Sequence, residues 1–108
     1  MKRYHVRLTD GAERDLVDLF DYIARKNSID NAYSVLEKLD TLILSLDQPP
    51  ERGRYPPELN KRGVKNYREL HFKPYRVIYE IIMNHVVILG CFDGRRDMLL
   101  LLERRLLR

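Results

Sequence analysis

Tyr67, Glu69 and His71 occupy alternate positions of one extended-looking run, and Arg76 follows after the turn signal Lys73-Pro74. If the two runs pair across that turn, all four side chains share one sheet face. An arginine in that place can grip an anion through parallel N–H bonds. A carboxylate and an imidazole beside it can take up and return a proton. Arg95 and Arg96, in FDGRRDM, add a second cationic group, and Arg68 a further one. Arg68, Arg76, Arg95 and Arg96 together make a candidate target-binding set, while Arg76, Arg95, His71 and Glu69 are the candidates for catalysis. The alternative is structural. Arg76 then pairs with Asp93 or Glu69, Arg95 and Arg96 are surface charge at a helix start, and His71 is an ordinary strand residue.

Other chemistries find little support. His5, His71 and His85 are too scattered for a metal site, no metal-ligand spacing appears, and no cofactor is expected. The single cysteine, Cys91, sits in an apolar run and reads as a buried, inert thiol. The seven tyrosines are not interleaved with lysine as an RNA-binding sheet requires. The charge is more informative. The chain carries a net charge of +4, from 14 Arg and 6 Lys against 16 acidic residues. An arginine excess favours bidentate contact with phosphate or carboxylate, so nucleic acid or an acidic protein segment is the expected partner. An ordinary basic surface is the other reading.

The elements that must hold these residues are readable from periodicity. With 108 residues, 44% hydrophobic and 33% charged, the chain has material for one domain, 1–108, with a modest core. No apolar run approaches the roughly 20 residues of a membrane span. MKRYHVRLTD lacks the apolar stretch of a signal peptide, so a cytoplasmic location is expected. Residues 3–9 alternate as a strand. Asp10 is positioned to cap a helix, with Glu13 three residues on as a capping box. Ala12, Leu16, Leu19, Phe20 and Ile23 form its stripe. A second helix is expected over 30–47, with Ala32, Leu36, Leu39, Ile43 and Leu46 as its stripe and Val35 and Leu42 alongside. Pro49 and Pro50 end it.

Residues 48–65, with four prolines, read as a long loop that is either functional or a tethered crossover. Three strands follow at about 66–72, 75–83 and 86–92. Two-residue turns at Lys73-Pro74 and Asn84-His85 set the register. Phe72 then faces Tyr75, Leu70 faces Val77 and Arg68 faces Tyr79. Across the second turn, Ile81 faces Ile88, Tyr79 faces Gly90, and Arg76 lies opposite Asp93. One face carries Leu70, Phe72, Val77, Tyr79, Ile81, Ile88 and Phe92, and should cover the helical hairpin. The other carries Tyr67, Glu69, His71, Arg76, Ile78, Glu80, Ile82, Val87, Leu89 and Cys91. That face is too apolar for water alone, so the C-terminal helix or a partner must cover it. The tail 93–108 reads as a third helix, capped by Asp93 or Asp97. Its stripe is Leu99, Leu102 and Leu106, with Leu100, Leu101 and Leu107 off it and Arg104, Arg105 and Arg108 at its end.

The order strand, two helices, three strands, helix resembles the RelE/ParE toxin superfamily of type II toxin–antitoxin systems. GAERDLVDLFDYIA is similar to that family's first helix, and NYRELHFKPYRVIYEI to its central hairpin. VVILGCFDGRRDM is similar to its last strand and the turn after it. Pro49 and Gly53 fall where such toxins carry a Pro-x-x-x-Gly type turn. The resemblance spans essentially the whole chain and implies an α+β fold in the order β-α-α-β-β-β-α.

It also implies a growth-inhibiting toxin neutralised by a cognate antitoxin, in a heterotetramer or a larger complex. Two mechanisms are implied by its two branches. ParE-type members resemble one another as inhibitors of DNA gyrase, RelE-type members as ribosome-dependent mRNA endonucleases. The nuclease branch supplies lysines on the first hairpin strand, arginines on the next strand and after the last, and a C-terminal tyrosine or histidine. Here Arg76 matches the strand arginine and Arg95 the later one. The lysine positions fall on Tyr67 and Glu69, the C-terminal aromatic falls near Leu99, and no Tyr or His follows His85. The tail FDGRRDMLLLLERRLL resembles ParE-type tails. The gyrase branch is therefore favoured, with Tyr67, Glu69 and His71 beside Arg76 left as a different possible acid–base set. The antitoxin is expected on Leu100, Leu101, Leu107, Arg76 and Leu89, through an acidic, partly apolar segment that folds as it binds.

Overall fold

A computed structural model describes residues 3–107. Arg108, expected at the end of the last helix, lies outside the described residues. The elements run β1 (His5–Leu8), α1 (Asp10–Lys26), α2 (Ile29–Leu44), α3 (Pro57–Asn60), β2 (Tyr67–Phe72), β3 (Tyr75–Ile82), β4 (His85–Asp93) and α4 (Met98–Leu106). This is the expected α+β order with one short helix added in the 48–65 loop. The strands form one sheet in the order β1-β4-β3-β2. β1 lies parallel to β4, and the other pairs are antiparallel. No helix among the described residues is long and apolar enough to cross a membrane.

Both long helices start on hydroxyl caps. Thr9 Oγ1 accepts from the Ala12 N–H at 3.1 Å, and Ser28 Oγ accepts from Asn31 N–H at 3.0 Å. Asp10 was the expected cap of α1, but it is the first helical residue. There, with Glu13, its charge suits the N-terminal dipole. The second helix ends at Leu44, and Ser45–Asp47 tightens into a 3₁₀ turn. Ala12, Leu39, Ile43 and Leu46 pack with Val77, Tyr79, Val86, Ile88 and Cys91 as the principal core. Phe20 and Leu36, assigned to the inward stripes, instead line an open hollow between the helices with Leu16 and Val17. Phe20 meets the exposed Tyr33 edge-on, with ring centroids 4.9 Å apart.

The first hairpin has the expected register, with Phe72 opposite Tyr75, Leu70 opposite Val77 and Arg68 opposite Tyr79. The second does not. Its turn is Met83-Asn84, so Ile82 pairs with His85, Ile81 with Val86 and Tyr79 with Ile88. Ile78 then pairs with Gly90, which leaves Leu89 as the extra residue of a β-bulge. Beyond the bulge the two faces of β4 exchange. Cys91 enters the helical core, and Phe92 joins Ile78 on the opposite face. Burial pushes the Cys91 thiol up to about 12, in keeping with an inert role.

The opposite face is covered from within the chain. Leu59, Ile78, Phe92, Met98 and Leu102 form a second core under α3 and α4. The last helix begins at Met98 on an Asp97 cap, not at Asp93, so its inward stripe is Met98 and Leu102, with Leu101 and Leu106 packed beside them. Arg105 fastens it. Its guanidinium donates to both Asp15 oxygens at 3.0 and 3.1 Å and to the Leu89 carbonyl at 2.9 Å, and lies over the Phe92 ring. The 48–65 loop is tethered as well. The Tyr79 hydroxyl donates to the Pro50 carbonyl at 2.5 Å and accepts from the Gly53 N–H at 3.0 Å. A Cβ at Gly53 would collide with that hydroxyl, which is why the loop needs glycine there.

Candidate functional site

The loop tether delivers two residues to the edge of the sheet. Arg54 forms a β-bridge with Glu69, each backbone N–H donating to the other's carbonyl, at 3.1 and 2.7 Å. Pro57 opens α3, and Glu58 in its first turn reaches the face of β3. With β2 and β3 these segments assemble a charge cluster around Glu69, whose side chain is fully buried.

Glu69 Oε1 accepts from Arg76 Nε at 2.7 Å, and Oε2 accepts from Arg54 Nε at 2.7 Å. His71 Nε2 lies 3.0 Å from Oε2 and 3.1 Å from Arg54 Nη2. Arg76 Nη1 and Nη2 donate to the two Glu58 oxygens at 2.8 and 2.7 Å. Burial and these bonds act in opposite senses on Arg76. The bonds to Glu58 outweigh desolvation, and its pKa is raised. The same contact with Arg76 holds the Glu58 carboxyl below the usual carboxylate range. Asp93 was expected opposite Arg76, but the earlier turn at Met83-Asn84 and the bulge together place Phe92 there. Asp93 instead accepts from Arg95 through Nε at 2.9 Å and Nη2 at 2.6 Å, and that bonding lowers its pKa.

Arg54, His71, Lys73, Pro74, Tyr75, Arg76, Gly94 and Arg95 line a cleft of about 380 Å³ at this end of the sheet. A Cβ at Gly94 would press on the Arg76 stem and the Pro74 carbonyl, so glycine lets the turn after β4 close over Arg76. Four of the sequence candidates, Arg76, Glu69, His71 and Arg95, therefore come together. Arg96 is exposed on the same turn but does not line the cleft. Arg68 is elsewhere. Its guanidinium donates to the Glu51 and Gly53 carbonyls at 3.0 and 2.9 Å and stacks on Tyr55, holding the loop. Tyr67 packs with Val64 against the second core, and burial raises its phenol pKa.

Of the apolar candidates on α4, Leu100 and Leu107 are exposed, whereas Leu101 packs into the second core. Leu89 is half-buried at the bulge. Arg54, Glu58 and Lys73 were not anticipated. No periodicity marks the first two, because an irregular loop carries them. Among the described residues no group of three or more His, Cys, Asp or Glu side chains is arranged to hold a metal ion.

This architecture occurs in known toxins. The chain superposes on a protein of the chromosomal ParDE toxin–antitoxin system of P. aeruginosa with a TM-score of 0.72, at 17% identity, covering 86% of this chain and 98% of that one. A chain of the RelBE2 toxin–antitoxin complex of Mycobacterium tuberculosis gives 0.63, at 24% identity, covering 84% and 98%. An arginine-substituted mutant of the E. coli toxin RelE in the free state gives 0.57, at 16% identity, covering 91% and 90%. No curated protein matches in sequence. The fold is that of the RelE/ParE toxin superfamily. Within it, the chain belongs to the family described as ParE toxin of type II toxin-antitoxin system, parDE, whose model matches residues 6–98.

Proposed function

We propose that this toxin arrests bacterial growth by binding and poisoning DNA gyrase in the cytoplasm, without cleaving RNA, until its cognate antitoxin neutralises it. The observation that carries this reading is the state of Arg76. Three of its N–H groups are held by Glu58 and Glu69, and Glu69 is in turn shared among Arg54, Arg76 and His71. RNA cleavage needs an arginine free to meet a phosphate and a base free to take a 2′-hydroxyl proton. Here the cations and carboxylates satisfy one another. The cluster braces α3 and the loop against the sheet, and Arg95 and Arg96 are exposed cations of the proposed target surface.

The deciding experiment sets two reactions side by side with purified toxin. Gyrase supercoiling should be inhibited, with cleaved DNA accumulating, while ribosome-bound mRNA stays intact. Intact supercoiling with cut mRNA would reverse the assignment to an mRNA endonuclease. Arg95→Ala combined with Arg96→Ala should leave the fold unchanged and weaken growth arrest. For the antitoxin, the exposed Leu100 and Leu107 are the apolar contacts, with the basic cleft beside Arg76 drawing an acidic segment, in a heterotetramer or a larger assembly.

A further inference from the structure

The charges around the cleft are close to balanced. Arg54, Arg76 and Arg95 are met by the carboxylates of Glu58, Glu69 and Asp93, and Lys73 is the fourth cation lining the cleft. One positive charge is left over. Lys73, exposed on the turn between β2 and β3, has no ion-pair partner among the described residues. Each guanidinium carries five N–H donors. Arg54 and Arg95 both use Nε and Nη2 for these bonds, which leaves the Nη1 of each outside them, and both residues line the cleft. Pro74 and Tyr75 contribute apolar wall.

We propose that this cleft is a docking pocket for a single acidic side chain of a partner protein, gripped by Lys73 and the outer edges of Arg54 and Arg95. The inference rests on the reading above, that the toxin acts by binding protein and not by cutting RNA. Charge complementarity selects the occupant. A nucleic-acid strand gains affinity with each phosphate it neutralises, and needs a row of unpaired cations. This cleft offers one uncompensated charge in a space of about 380 Å³, enough for one side chain and its flanking backbone. The cleft's arginines already take carboxylates as their ligands: Arg76 holds Glu58 end-on through Nη1 and Nη2, and Arg95 holds Asp93 side-on through Nε and Nη2. Apolar residues flanking the acidic one would rest on Pro74 and Tyr75.

The test is an amide NMR titration of the isotope-labelled full chain with three probes. These are the capped peptide Ac-Ala-Leu-Glu-Leu-Ala-NH₂, its Gln counterpart, and a short single-stranded oligodeoxynucleotide. The Glu peptide should shift the amides of His71, Lys73, Tyr75, Arg76, Gly94 and Arg95 saturably. The Gln peptide should bind roughly tenfold more weakly, the loss expected for a charge-assisted hydrogen bond. Lys73→Glu should abolish the shifts. Lys73→Gln, which weakens them, serves if the first variant loses its dispersed spectrum. Equal binding of the two peptides, shifts that map elsewhere, or the oligonucleotide moving the same amides at lower concentration would each overturn the pocket. The titration contains no gyrase, so its failure is separate from a failure of the supercoiling assay. A toxin that inhibits gyrase yet ignores the peptide overturns only the pocket. One that takes the peptide but leaves gyrase untouched overturns only the target.

Discussion

The two faces of the sheet are closed by different physics. Toward α1 and α2, Val77, Tyr79, Val86, Ile88 and Cys91 meet Leu39, Ile43 and Leu46, and the Tyr79 hydroxyl is the polar exception, bonded to the loop. Toward α3 and α4, apolar contacts through Leu59, Phe92 and Leu102 share the space with buried Glu69 and Arg76. The first face tolerates small adjustments, because dispersion and burial are non-directional. The second depends on matched partners, because an unpaired buried charge is costly whereas a matched pair adds little net stability. Specific geometry is therefore concentrated on the α3–α4 side, where the candidate site lies.

The largest break in this comparison should come from Arg76→Ala. It leaves the buried Glu69 with one fewer cation and Glu58 with none that it bonds to. A loss of about 4 kcal/mol in urea unfolding is expected. A loss under about 1 kcal/mol would mean that the cluster is not a brace. On the other face, Leu39→Ala should cost about 3 kcal/mol, since its side chain is fully enclosed. Phe20→Ala, at the open hollow, should cost only about 1 kcal/mol. Equal losses would show that the hollow closes in solution.

The smallest effect should come from Glu58→Gln, on the order of 1 kcal/mol or less, because the Glu58 side chain is 25% exposed. Its pH dependence is the diagnostic part. Arg76 depresses the folded-state pKa of Glu58 below its ordinary value of 4.5, so the stabilisation is complete above that value and disappears as pH falls through the folded one. The gap between wild type and Glu58→Gln should be widest near neutrality and should close in acid. A gap unchanged down to about pH 3 would exclude the ion pair as its source.

Local rules made the helices, the first hairpin and the element order legible, because apolar spacing and the Lys73-Pro74 turn act over a few residues. The second register was misread because no residue in HVVILGCFD announces a bulge. The turn Met83-Asn84 lacks the glycine that marks many tight hairpins, and Met83 adopts a positive φ of 56°. The missed bulge carried Phe92 and Cys91 to the wrong faces, and the turn placed one residue late put Asp93 opposite Arg76. The convergence of Arg76, Glu69, His71 and Arg95 was legible from strand alternation. The partners that decide their chemistry were not. Glu58 and Arg54 arrive from an irregular loop, placed by Tyr79 and Gly53 through tertiary contacts that leave no periodic trace.

Leu89 acts on β4 as a phase shifter. A strand keeps its two-residue wavelength only while every residue is counted, and here one residue resets the wave by half a cycle. Val86 and Ile88 are written for the helical side, and the same strand then turns Phe92 to the far side to receive α4. If Leu89 were instead counted into the ladder, strict alternation along the numbered chain would return. That would drive the Phe92 ring under α1 and α2 and present the Cys91 thiol to α4. The two halves of the fold are thus kept in step by one uncounted residue. An insertion in the turn at Met83-Asn84, where the chain is exposed, would leave that timing untouched.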